Sequence, residues 1–304
     1  MRVTLFHNPS AGDAPLTADQ LTSILSDAGY QVRYQSTKDD LSAVLEDVGE
    51  LAVVAGGDGT VAKVARALAD TDIPLAVLPL GTANNIGKAL GVFGDIRDLV
   101  GSWQGSARRA IDIGVSSGPF GEERFLESTG SGAFAELVRR GRSEVDETAA
   151  IVHRETDRAL QLMATILRDA PAEDWQLELD GHDLSGSYMA VEAMNIPFVG
   201  PNIPLAVDAK MDDGELDLVL LRDEDRERLL EYLLGRVESA SAVMPSLDVR
   251  RGRRIRMTPP PGWDLRIDDE LVELEAEADA RAIDILLRPG VVQVLGSRPN
   301  GDRA

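Results

Sequence analysis

The chain of 304 residues contains no cysteine. That excludes disulfides, thiolate zinc sites and a cysteine nucleophile, and it fits a cytoplasmic protein. Basic residues are scarce: 31 Lys and Arg stand against 52 Asp and Glu, a formal net charge of -21. Bulk charge therefore argues against a nucleic-acid partner. It also repels anionic membranes unless a local basic patch offsets it. No apolar run approaches the roughly 20 residues of a bilayer-spanning helix. The opening stretch MRVTLFHNPSAG is broken by Asn8 and Pro9 too early for a signal peptide. His7, His153 and His182, the only histidines, show neither metal-ligand spacing nor triad partners. A Walker motif and a GxGxxG motif are both absent. Hydrophobic residues still make up 43% of the chain, which is a globular proportion, and the length suffices for two ordinary domains.

The first 115 residues alternate short strand-like and helix-like runs. RVTLFHN, YQVRYQS, LAVVA and IPLAVLPL read as strands. Leu21, Ile24, Leu25 and Ala28 mark one helix; Leu41, Val44, Leu45 and Val48 mark a second. A third opens near Thr60, with Val61, Val64, Ala65 and Leu68 on its apolar side. This rhythm predicts a parallel sheet with helices on both faces. Beyond residue 115, Leu160, Met163, Ala164 and Leu167 share one helical face, and DRERLLEYLLGRVESA forms another helix. WQLELDGHDLSGSYMAVEAMN predicts a hairpin around Asp180-Gly181. GELDLVLL, SLDVRRGRRIRMTP, WDLRIDDELVEL, AIDILLRPG and GVVQVLG predict further strands, so this half reads as an antiparallel β domain. The last strand is expected to return to the first domain.

Ligands of parallel α/β sheets bind beyond the C-terminal strand ends. Three loops rich in small residues fall at such ends: NPSAG (Asn8 to Gly12), GGDGT (Gly56 to Thr60) and GTANN (Gly81 to Asn85). The glycines permit close backbone approach, and a strand, glycine turn and helix N-terminus in series can hold phosphate. Asp58 within such a loop serves phosphate through Mg²⁺, accepts a proton, or merely caps the following helix.

NPSAG, GGDGT, PLGTANN, DAKMDDGELDLVLL and IDDE, in this order and spacing, resemble the diacylglycerol kinase catalytic-domain family. Soluble bacterial lipid kinases belong to it, and sphingosine and ceramide kinases are similar. The resemblance implies a nucleotide-binding α/β domain over residues 1–115, completed by 289–304. It further implies a lipid-binding β-sandwich domain over 116–288, with a cleft between the two. ATP and Mg²⁺ are its implied cofactors and a membrane lipid its implied substrate. By that resemblance Asn8, Ser10, Gly12, Thr37, Gly56, Gly57, Gly59, Thr60 and Thr82 contact the nucleotide. Asp213 ligates a magnesium beside the carbonyls of Lys210 and Glu215. Asp58 and Glu270 are catalytic, Glu270 taking the acceptor proton. Relatives often carry GGDGTxNE, GTxNDxAR and DGE; this chain has Ala62 and Lys63, then Asn85, Gly87 and Lys88, then Asp269.

Read without the resemblance, AKMDDGELD and RIDDELVE are both hairpin turns rich in acid. Asp112, in RRAIDIGV, matches by the resemblance an acidic position near the cleft; by itself it reads equally as a solvent-facing strand residue. The cluster Arg250 to Arg256 is either a charged strand edge or a patch for anionic head groups. The expectation that follows is a cytoplasmic kinase with transient peripheral membrane association, a homodimer being compatible with it. An NAD kinase-like enzyme and a nucleotide-binding protein without catalysis are the alternatives.

Overall fold

The computed structural model describes residues 1–12, 16–45, 47–143, 152–239, 242–274 and 281–295. The chain forms two units, one comprising Met1–Ile113 with the stretch from Pro289 onward, the other Gly114–Arg288.

The first unit contains β1 (Arg2–His7), α1 (Ala18–Asp27), β2 (Gln31–Ser36), α2 (Ser42–Leu45), β3 (Leu51–Gly56), α3 (Asp58–Leu68), β4 (Leu75–Pro79), α4 (Asn85–Ala89), α5 (Ile96–Ser102) and the start of β5 (Arg108–Gly118). Strands pair in parallel in the order β2-β1-β3-β4. Every residue of β3 is buried, as expected of a strand with both faces covered. Leu5, Val53, Ala76 and Leu78 pack with Leu21 and Leu25 of α1 and with Trp103 just after α5. Thr17 and Gln20 start α1 with a reciprocal capping box. The second helix is a single turn, shorter than its periodicity predicts. The carbonyl of Val48 instead accepts from the Thr4 hydroxyl at 2.8 Å, and Gly49 turns the chain toward β3 at φ +84°.

The second unit contains the end of β5, then β6 (Gly121–Phe125), β7 (Ser128–Gly132), α6 (Ala133–Ser143), α7 (Val152–Asp169), β8 (Glu173–Leu179), β9 (His182–Asp183), β10 (Gly186–Tyr188), β11 (Ala190–Met194), β12 (Leu216–Leu221), α8 (Arg226–Glu238), β13 (Asp248–Gly252), β14 (Arg254–Thr258), β15 (Leu265–Ile267), β16 (Glu270–Val272) and most of the first half of β17 (Ile283–Leu295). One antiparallel sheet runs β13-β12-β11-β7-β15-β16. A second layer pairs β10-β8-β14-β17 antiparallel. Between them lie Leu177, Leu179, Ile255, Ile283 and Ile285, facing Val191, Leu216, Leu218, Leu220 and Ile267. On the other face of the first sheet, Val219 and Leu221 join Phe134, Met163, Leu167, Leu229 and Leu233 from the three helices. Alternate residues of β12 thus serve two cores, which is why LDLVLL is apolar almost without interruption. Asp180 (φ +49°) and Gly181 (φ +83°) make the expected tight hairpin.

Sequence reading divides β17 into two strands at Pro289-Gly290. It is one strand, with Gly290 at φ +68° and its N–H donating to Asp112 Oδ1 at 2.8 Å. Asp112 is only 2% exposed, so it is not a solvent-facing strand residue. Within the first unit, Val294 of β17 then registers with Leu75 of β4 in parallel.

Candidate functional site

In the first unit the three small-residue loops are tied to one another at the C-terminal ends of β1, β3 and β4. Asn8 N–H donates to the Ala55 carbonyl at 2.9 Å, and Asn8 Nδ2 donates to Thr60 Oγ1 at 3.4 Å. Asn8 Oδ1 in turn accepts from Ser10 N–H at 3.1 Å, fixing the first loop as an Asx turn. Gly12 adopts φ +74°, and a Cβ there would run into the Leu80 carbonyl. Leu80 N–H donates to the Gly56 carbonyl at 2.9 Å. Gly57 and Gly81 meet backbone to backbone; a Cβ on Gly57 would lie 3.2 Å from Gly81 Cα. These two glycines are therefore required by the contact of one loop with the other.

Asp58 is not a cap of its own helix. Gly57 is the N-cap of α3 and makes no side-chain cap hydrogen bond. Asp58 begins α3 and Oδ1 accepts from Ile86 N–H at 2.9 Å, binding the start of α4. Partial burial pushes the Asp58 carboxyl above its ordinary value, against the N–H groups of Ile86, Asn85 and Asn84 and the charge of Lys88, which pull it down. Asn84 completes the third loop in a left-handed conformation, φ +50°. Its Oδ1 accepts from Gly81 N–H at 2.9 Å and its Nδ2 donates to the Gly81 carbonyl at 2.6 Å.

The end of β2 joins the same cluster. Thr37 donates to the His7 carbonyl through N–H at 2.9 Å and through its hydroxyl at 3.3 Å. Lys38 Nζ donates to Ser10 Oγ at 2.6 Å, which places a cation on the first loop. Sequence reading passed over Lys38, since a lysine after a strand carries no pattern of its own. The structure thus gathers Asn8, Ser10, Gly12, Thr37, Gly56, Gly57, Asp58, Thr60 and Gly81. Gly59 lies in the first turn of α3, and Thr82 is exposed on the third loop.

In the second unit, Glu270 is exposed at the start of β16, paired across the hairpin with Ile267. The turn before it hangs on buried charge that sequence reading missed. Asp268, 3% exposed, accepts backbone N–H groups from Leu126 (3.1 Å), Glu127 (2.8 Å) and Ser128 (3.4 Å). Arg266, equally buried, donates to Glu192 Oε2 at 2.5 Å, Ser128 Oγ at 2.9 Å and the Asp268 carbonyl at 2.5 Å. Burial raises the Glu192 carboxyl while Arg266 pulls it down. Asp268 holds φ +50°, so it combines a turn conformation with a triple acceptor role.

The acidic turn around Asp213 is also in the second unit. Asp213 Oδ1 accepts from Glu215 N–H at 3.1 Å. Its other oxygen accepts from Arg251, whose guanidinium also lies 3.0 Å from Glu215 and 3.8 Å from Asp217. Burial pushes the Asp217 carboxyl up to about 6, opposed by Arg251 and assisted by Asp213, Asp208 and Glu215. Lys210 is exposed. Among the described residues, no group of three or more His, Asp or Glu side chains is arranged to hold a metal ion. As arranged, the Asp213 turn does not fit a divalent ion, because a guanidinium already stands on the carboxylate that would ligate it. No helix among the described residues is long and apolar enough to cross a membrane.

Residues 2–116 match the family model for the diacylglycerol kinase catalytic domain, and residues 143–296 match that for the YegS C-terminal NAD kinase beta sandwich-like domain. The chain is 28% identical over 244 residues to the protein named diacylglycerol kinase of Bacillus subtilis, covering 76% of each. It is 28% identical to the "Probable lipid kinase YegS-like" of Pseudomonas aeruginosa, covering 95% of this chain and 92% of that one. Among solved structures, a diacylglycerol kinase from Bacillus anthracis superposes with a TM-score of 0.71 at 20% identity, covering 97% of both chains. At that identity the likeness is one of fold.

Proposed function

Because this chain belongs to the diacylglycerol kinase catalytic-domain family and is similar to proteins named diacylglycerol kinase and probable lipid kinase, we propose that it transfers the γ-phosphate of ATP to a hydroxyl of a membrane lipid, diacylglycerol-like or sphingoid. The observation that carries this reading is the joining of three loops by Gly57, Gly81 and Asp58 at parallel strand ends. The first turn of α3, with no side-chain cap, suits a phosphate. Asn8, Ser10, Thr37 and Thr60 supply hydroxyl and amide groups around it, and Lys38 supplies charge. Thr82 and Gly59 complete the nucleotide contacts. Mg²⁺ accompanying the nucleotide would neutralise phosphate charge as transfer proceeds.

Asp58 fixes the second loop against the third and keeps a carboxylate beside the phosphate-binding backbone. Glu270, presented by a turn that Asp268 and Arg266 hold rigid, takes the proton of the acceptor hydroxyl as general base. The test is incubation of the purified chain with labelled ATP, Mg²⁺ and micelles of single lipids bearing a free hydroxyl, followed by lipid extraction. Label in the lipid phase is expected with one acceptor class. ATP binding without label in any lipid would return the chain to the non-catalytic alternative. Label on NAD, supplied as acceptor in a parallel incubation, would favour the NAD kinase-like one.

A further inference from the structure

Asp217 is 2% exposed, and its Oδ2 is buried without a hydrogen-bond partner. A buried carboxylate in that condition needs a cation close by. Strand register supplies one: Asp217 of β12 stands directly opposite Arg251 of β13. From that position the guanidinium spans the turn, reaching Asp213, Glu215 and Asp217 together. A planar fork with several donors can serve carboxylates in different directions, which a lysine ammonium does less well. Arg250, one residue earlier, pairs instead with Asp248 at 2.7 Å. The basic cluster of the sequence is thus divided among particular carboxylates.

We infer that Arg251 is the resident cation of the Asp213–Asp217 turn and that it takes the place of a divalent ion there. The turn of this chain is then built without metal, although its sequence, AKMDDGELD, resembles one that holds magnesium. The inference does not depend on the lipid-kinase reading, since it concerns what neutralises three carboxylates of the second unit.

The experiment uses the full chain without nucleotide, so that no metal is carried in by ATP. Mn²⁺ is the probe, its binding followed by electron paramagnetic resonance. Thermal unfolding is measured in parallel in EDTA and in Mg²⁺. The wild type is expected to bind no Mn²⁺ that Asp213→Asn abolishes, and to unfold at the same temperature in EDTA and Mg²⁺. Arg251→Gln is expected to unfold earlier in EDTA and to gain one Mn²⁺ per chain. Part of its lost stability should return with Mg²⁺, and both gains should disappear in Arg251→Gln/Asp213→Asn. A wild-type Mn²⁺ site removed by Asp213→Asn overturns the inference. So does a folded Arg251→Gln that binds no Mn²⁺. Should Arg251→Gln fail to fold, the comparison of wild type with Asp213→Asn decides alone.

Discussion

The ionised Asp58 carboxylate carries a cost in the folded state. A carboxylate partly removed from water and pushed above its ordinary pKa opposes folding whenever it is ionised. The folded state then holds its proton more tightly than the unfolded state. Stability contributed by the protonated form is lost as pH rises from the unfolded value, near 3.8, through the raised folded one. Asp58→Asn keeps an oxygen for Ile86 N–H but removes the charge. Denaturant unfolding at several pH values should show this variant gaining on the wild type as pH climbs through that window, with a constant advantage above it. Its turnover should stay below that of the wild type. An advantage that does not change with pH would mean the carboxyl is not destabilised. Glu270 makes the opposite case: it is exposed, so Glu270→Gln should leave stability unchanged. Removing a general base typically costs about 10²- to 10⁴-fold in rate. Steady-state assays should give a kcat lower by that order, while calorimetry gives an unaltered ATP affinity. Turnover near the wild-type value would remove Glu270 from proton transfer.

The hairpin β15–β16 shows what an element needs in order to present such a residue. Its turn is anchored by Asp268 to three consecutive N–H groups and by Arg266 to Glu192. Arg266→Met would leave Glu192 buried with no counter-charge, a loss that typically costs about 3–5 kcal/mol. Chemical denaturation should register that loss, and Arg266→Met/Glu192→Leu should recover much of it; no recovery would mean that the pair's worth lies in its other hydrogen bonds. None of this was legible beforehand, since RIDDELVE reads as an ordinary acidic turn and nothing in its pattern links it to Glu192. Strand β7 was equally hidden. STGSG is buried at every position yet offers no apolar side chain, and Gly130 is small because the Glu192 carboxyl occupies the space of a Cβ. By contrast, LAVVA and LDLVLL announced their strands through hydrophobicity, and GGDGT announced its loop through composition. The hydrogen bond of Asp58 to α4 was not legible because its donor, Ile86 N–H, lies 28 residues away. Local pattern finds elements and loops; it does not find the long-range contacts that make buried charge tolerable.

At the scale of the whole molecule, a net charge of -21 must be reconciled with the membrane-lipid substrate proposed above. The arginine cluster offers less free charge than its sequence suggests: Arg250 is held by Asp248 and Arg251 by the acidic turn, while Arg256 lies 3.8 Å from Asp284. Arg253 and Arg254 remain exposed. The second unit also exposes Val207 and Val243, 64% and 86% accessible, which suit insertion into an acyl boundary. We therefore propose that membrane contact is led by apolar side chains against a repulsive field. At physiological salt, charges more than about 8 Å apart are largely screened. The long-range repulsion of the acidic surface should fade with salt sooner than contacts made at the membrane itself. Sedimentation with anionic vesicles should accordingly rise from low to physiological salt, and Val243→Asp should reduce it more than Arg253→Gln/Arg254→Gln does. Binding that falls steadily with salt and disappears in the double arginine variant would instead give the basic pair the leading role.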